Sequence, residues 1–217
     1  MRPVVLGATL AATAAFALVA AASADAPKRR REPGALVVVI DRSLTMHGAR
    51  LDAMKAAALA SIAVLAPDDQ VAVVAFDSEA TVPVPLQRPA NRAAIARVTG
   101  EIRAEGGTNV YAGLKAAHDL LRATTLATRH VIVMTDGDAA PDGLPELIAD
   151  MREHGETLSI LGLPVAPPRT ATCCRPGPHA HRTLMSMLAK GSGRLYFVDD
   201  LGALARTAAA EVRLALE

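Results

Sequence analysis

Aromatic side chains are almost missing from this chain. They make up 2% of its 217 residues, and tryptophan is absent. Binders of single-stranded nucleic acid stack bases on such rings, so that class of function has no footing here. Cysteine is as scarce: Cys173 and Cys174 are the only two, and they are adjacent. Two thiols cannot build a disulfide framework, and neighbouring ones pair only through a strained backbone turn. Nor does one sign of charge dominate. The net charge of +1 argues against a strongly basic nucleic-acid binder and against a disordered chain. Walker A and G-x-G-x-x-G stretches are also lacking, which leaves nucleotide binding without support.

What is present is apolar residue, 51% of the chain, so the core must be built from Ala, Val, Leu and Ile. The length suits one domain of ordinary size. Residues 4–22 form one long apolar stretch, preceded by Arg2 and followed by Ala22-Ser23-Ala24. A positive start, an apolar segment and an A-x-A site within residues 1–24 read as a secretory signal peptide, with export to the periplasm or the extracellular space. The rival is a retained membrane anchor through residues 4–22, since about 20 apolar residues span a bilayer. The Lys28-Arg29-Arg30-Arg31 cluster complicates both, because such clusters favour the cytoplasmic side. Residues 25–34 read as a charged linker, and the folded domain is expected over 35–217.

Within that domain, apolar runs at 35–40 (ALVVVI), 71–76 (VAVVAF), 130–135 (HVIVMT) and 157–163 predict buried strands. A further strand is expected at 194–198, and 81–86 (TVPVPL) alternates as an edge strand does, where proline is tolerated. Helices are expected over 48–66, 89–104, 109–123 with Thr108 as N-cap, 144–153, and from 201 onward. Strands alternating with helices imply an α/β fold: a doubly wound, mostly parallel central sheet with helices on both faces. The Pro-rich stretch 164–178 interrupts this rhythm and reads as an insertion.

Five oxygen-bearing side chains fall at strand ends or helix starts. Asp41, Ser43 and Thr45 stand in VVVIDRSLTMHG, Thr108 in EGGTNVY, and Asp136 in VIVMTDGD. Open α/β sheets gather ligands at the carboxyl ends of their strands, so these side chains can converge. Two carboxylates and three hydroxyls suit a hard divalent cation such as Mg²⁺ or Mn²⁺, not zinc. Each residue also has a plainer reading: Asp41 and Ser43 as helix caps, Thr108 as an N-cap, Asp136-Gly137 as a turn.

The D-x-S-x-T of Asp41, Ser43 and Thr45, the GGTN of 106–109 and the TDG of 135–137 resemble, in order, the metal-ion-dependent adhesion site of a von Willebrand factor A domain. That resemblance covers about residues 35–217. It implies direct metal contacts from Ser43, Thr45 and, in the bound state, Thr108, with Asp41 and Asp136 often acting through water. It also implies a partner protein whose Asp or Glu fills the open position, and binding in place of catalysis. Thr45 stands where serine is usual, which keeps the hydroxyl and adds a methyl group. A shift of the last helix on binding is known for some relatives and is a hypothesis here. The loops near Met46-His47, Glu79, Asn109-Val110-Tyr111 and 138–143 are the candidate specificity surfaces.

Two other functions use the same residues. In a scaffold subunit of an envelope or ATPase-linked assembly, the metal would be structural. In a haloacid-dehalogenase-like phosphatase, Asp41 would be the nucleophile and 137–142 (GDAAPD) the later acidic motif, but Ser43 stands where the proton-donating acid belongs. Cys173, Cys174, His179 and His181 have no trusted metal-ligand spacing, and His118 and His130 read as structural.

Overall fold

Residues 35–40 carry no polar side chain because both of their faces are covered. In the computed structural model, which describes residues 31–137, 142–163 and 192–217, they lie in strand β1 (Gly34–Asp41), buried throughout. Leu36, Val38 and Ile40 enter one core, while Ala35, Val37 and Val39 enter a second on the opposite face. Period-two alternation thus serves two cores at once and reads in sequence as an unbroken apolar run.

The other strands are β2 (Gln70–Phe76), β3 (Ala80–Gln87), β4 (Thr128–Thr135), β5 (Glu156–Gly162) and β6 (Leu195–Phe197). Their order is β3-β2-β1-β4-β5-β6, with every pairing parallel except β2 with β3. The antiparallel strand is the proline-bearing edge, as expected. Helices α1 (Ala49–Ala63), α2 (Arg92–Gly100) and α5 (Leu201–Leu216) contribute to the first core. Helices α3 (Val110–Arg122) and α4 (Leu144–Glu153) cover the second. The α/β architecture expected from the sequence is the one observed. From β1 the chain winds outward to β2 and β3, then returns to β4 on the other side. The switch point therefore lies between the carboxyl ends of β1 and β4, where an open sheet forms a crevice.

Several boundaries differ from the sequence reading. Helix α1 ends at Ala63 and not near residue 66, because Asp69 closes the turn that follows. Its carboxylate accepts from Ala66 N at 2.6 Å and from Gly34 N at 2.9 Å, which also starts β1 one residue earlier than expected. The segment expected as one helix over 89–104 is a 3₁₀ turn (Pro89–Asn91) followed by α2, which stops at Gly100. Thr108 does not cap α3. The cap is Asn109, whose side chain accepts from Ala112 N at 3.1 Å.

Tight packing at α3 depends on Gly113. A Cβ there would sit 2.6 Å from Phe76 Cδ1, so only glycine lets this helix approach β2 so closely. The expected signal or anchor (1–24), the Pro-rich stretch (164–178) and the Cys173, Cys174, His179 and His181 group lie outside the described residues. Among the described residues no helix is long and apolar enough to cross a membrane.

Candidate metal centre

Asp41 is the last residue of β1 and Asp136 follows the last residue of β4, so parallel pairing sets two acids side by side at the switch point. Both are buried, as is Ser43. A buried carboxylate must be satisfied, and Asp41 is. Its Oδ1 accepts from Ser43 N at 2.9 Å and its Oδ2 from Thr135 Oγ1 at 2.6 Å. The chain therefore folds back on itself after β1, and a 3₁₀ turn (Leu44–Met46) follows where a plain loop was expected. That turn brings Ser43 Oγ within 3.0 Å of Thr45 Oγ1. Ser43 precedes the turn without capping it through its side chain, and α1 is preceded by Gly48, so neither Asp41 nor Ser43 is a helix cap.

The loop bearing Thr108 is held against this one by backbone hydrogen bonds. Leu44 N donates to Gly106 O at 3.3 Å and Glu105 N to Arg42 O at 2.8 Å. Gly106 sits at φ 68°, and a Cβ on it would meet Asp77 at 2.9 Å, so the residue type is demanded twice over. From the far side, Gly107 N donates to Ser78 Oγ and Asn109 Nδ2 to Ser78 O, while Asn109 N donates to Asp77 O at 2.6 Å. Thr108 stands in this stitched segment, half-buried, one residue outside the capped helix. It lines a pocket with Ser78, Asn109, Tyr111 and Asp142. The five residues singled out from the sequence thus belong to three loops at one end of the sheet.

Arginines offset part of the acidic charge at this end. Arg50, on α1, places Nη2 3.2 Å from Asp136 Oδ2. Arg42 pairs with Asp77 at 2.5 Å and with Glu105 at 3.0 Å. Burial pushes the Asp41 carboxyl up to about 6, against the bonds from Thr135 and Ser43 and with help from nearby Asp136. Two buried acids, one of them paired with a guanidinium, stand beside a pair of hydroxyls and make an oxygen-rich donor set. That set fits a hard divalent cation.

Four contributors were given no role in the sequence reading, Thr135 although it stands in the TDG motif. Thr135 anchors Asp41 and takes a hydrogen bond from Gly137 N at 2.9 Å. Arg50 faces Asp136, while Asp77 and Ser78 hold the Thr108 segment. Asp77 was findable: it follows β2 directly, as Asp41 and Asp136 close β1 and follow β4. Arg50 was not, since a helix arginine near the sheet rim carries no local signal. Of the phosphatase pattern, 138–141 lies outside the described residues. The bonds between the Asp41 and Gly106 loops give the GGTN segment a place that the phosphatase reading leaves empty.

Residues 36–139 match the family model of the von Willebrand factor type A domain, a stretch that contains all five residues. An uncharacterized protein of Synechocystis sp. is 37% identical over 110 residues, covering 50% of this chain and 26% of that protein. This chain therefore spans about a quarter of that curated relative's length. Among solved structures, a von Willebrand factor type A protein from Catenulispora acidiphila superposes with a TM-score of 0.72 at 23% identity, covering 85% of this chain and 43% of that one. The vWF domain of the type V pili tip protein Mfa5 from Porphyromonas gingivalis gives 0.66 at 13% identity, covering 87% and 97%. At these identities the likeness is one of fold.

Proposed function

We propose that this domain, which carries the von Willebrand factor A fold, recognises a partner protein through a divalent cation, Mg²⁺ or Mn²⁺, held by Asp41, Ser43, Thr45, Thr108 and Asp136. One observation carries the reading: two buried acids at the sheet's switch point flank hydroxyls already 3.0 Å apart. When bound, the ion offers an open coordination position to a partner's Asp or Glu. The remaining work belongs to the chain. Thr135 and Ser43 N orient Asp41, Arg50 orients Asp136, and Ser78 with Asp77 hold the segment that bears Thr108. Exposed Leu44 and Tyr111 flank the loops and supply apolar contact area for a partner. Binding, not catalysis, is the activity, and the apolar segment at 4–22 supports an exported, envelope-associated setting, as does a structural neighbour that is a pilus tip protein.

The test is calorimetric titration with Mg²⁺ and Mn²⁺ of the chain and of Asp136→Ala, followed by partner capture with and without EDTA. Saturable binding that the variant loses supports the reading. Capture that survives both EDTA and Ser43→Ala overturns it in favour of a scaffold role.

A further inference from the structure

At the other end of the sheet, where β4 and β5 begin, a second cluster has no part in the function above. His118 projects from α3, while Asp150 and His154 lie one turn apart at the end of α4. The ligand atoms of all three fall within 4.8 Å of one another. We propose that they form a second metal site, for Zn²⁺ or another borderline divalent ion, with Glu156 as the supporting carboxylate behind His118.

The placement of His118 carries this. The residue is 2% exposed, and its Nδ1 lies 3.0 Å from both oxygens of Glu156. Nδ1 can only donate to a carboxylate, so Nε2 is the ring nitrogen left to face Asp150. Nε2 stands 3.2 Å from Asp150 Oδ2, yet it makes no hydrogen bond and is buried. A buried ring nitrogen and a carboxylate oxygen thus face each other across a gap that a metal cation or a proton bridges, and the experiment below separates the two. His154 closes the group: its Nδ1 donates to the Asp150 carbonyl oxygen at 2.9 Å, which leaves Nε2 for an ion, and its ring stands edge-on to His118 at 5.4 Å.

The pattern agrees with zinc chemistry on three counts. Two imidazoles and one carboxylate are a known three-ligand set for zinc, leaving a fourth position to water. The 3.2 Å between His118 Nε2 and Asp150 Oδ2 is close to what bonds of about 2.0–2.2 Å give in a tetrahedron, and all three ligand atoms lie within 4.8 Å. A carboxylate on the far nitrogen of a ligating histidine fixes its tautomer and raises its basicity. Arg129 lies close, donating to His154 O, but Asp150 and Glu156 together outweigh its charge. By the pairing of Arg129 with Glu156 and of Thr135 with Gly162, six residues of strand separate this cluster from the first site. That is about 20 Å. Imidazole selects zinc, copper or nickel while all-oxygen sites select magnesium, so the two ends of the sheet would load different ions. The second ion would pin α3 to α4.

The experiment is Zn²⁺ titration of the full chain in excess Mg²⁺, which occupies the oxygen site, read by calorimetry and by melting temperature. Co²⁺ absorption serves as a check on tetrahedral geometry. His118→Ala would open a hole beside buried Glu156, so the more exposed His154→Ala and Asp150→Asn carry the test, and their melting in chelator verifies folding. A Cys173→Ser/Cys174→Ser variant separates any zinc taken by the thiols. One equivalent that both ligand variants lose or bind at least about tenfold more weakly, and that the thiol variant keeps, is the expected result. No Zn²⁺ uptake, or equal uptake by wild type and His154→Ala, overturns the proposal and leaves a proton in the metal's place.

Discussion

Asp41 and Glu211 are both wholly buried carboxylates, yet the protein treats them in opposite ways. At the carboxyl ends of the strands, burial dominates and pushes Asp41 up to about 6, with Asp136 beside it adding repulsion. Deeper in the domain, burial pushes Glu211 up as well, but its neighbours reverse the sign and hold it below the ordinary carboxylate range. Arg194 donates twice, at 2.7 and 2.9 Å, and Ser159 and Tyr196 add 2.6 and 2.5 Å hydrogen bonds. His130 stands 3.7 Å away and adds attraction only once it is protonated. The lesson is that burial alone does not say what a charge is for. Glu211 is saturated by the chain and ties α5 to β5 and β6. Asp41 has no such cationic partner among the described contacts and sits beside a second buried acid, Asp136, an oxygen-rich pairing that fits the proposed cation.

Removing Glu211 should give the largest effect. Glu211→Ala strips Arg194, Tyr196 and Ser159 of their shared acceptor and is expected to cost about 3–4 kcal/mol in urea unfolding, tempered because Arg194 is half exposed. A loss under 1 kcal/mol would remove the contrast between the two ends. Next comes pH. Burial holds His130 down to about 4, against attraction from Glu211. The unfolded chain takes up that proton near 6.5 and the folded chain only near 4. This stabilising contribution is therefore complete above 6.5 and disappears as pH falls toward 4, by roughly 3 kcal/mol. Melting scans across that window should show the slope, and His130→Gln should flatten it.

Magnesium should act on the opposite end. At a hundredfold excess over Kd it should add about 2.7 kcal/mol of stability, reversed by EDTA and absent in Asp136→Ala. Asp41→Asn sharpens the point: in EDTA it should cost only about 1 kcal/mol, since the amide keeps one of the two acceptor oxygens and relieves repulsion from Asp136, while magnesium stabilisation disappears. The smallest effect belongs to solvated pairs. Arg97→Ala, which breaks the exposed bond to Glu101, should change stability by about 0.3–0.5 kcal/mol and fix the scale for the rest.

Much of this molecule was legible before any coordinates. The runs at 35–40 and 71–76 announce central strands because two-sided burial forbids polar residues there, and the prolines of 81–86 announce an edge. Helix ends were harder. Asp69 reaches from the following turn to end α1's extension and start β1, and Asn109 displaces Thr108 as the cap, choices between near-equal local options that tertiary contacts decide. His118 and His130, read from the sequence as structural, are both buried, and Glu156 and Glu211 were invisible as their partners. Those acids stand 38 residues from His118 and 81 from His130.

By itself, then, the sequence determined the fold class, the strand runs and the oxygen-donor residues at the strand ends, because apolar periodicity and side-chain type act locally. The tertiary structure alone decided which charges meet. It set Arg50 against Asp136, Thr135 against Asp41, His118 between Glu156 and Asp150, and Arg194 on Glu211. Such pairings depend on strand order and helix placement, and Coulombic energy falls with distance in space and not along the chain.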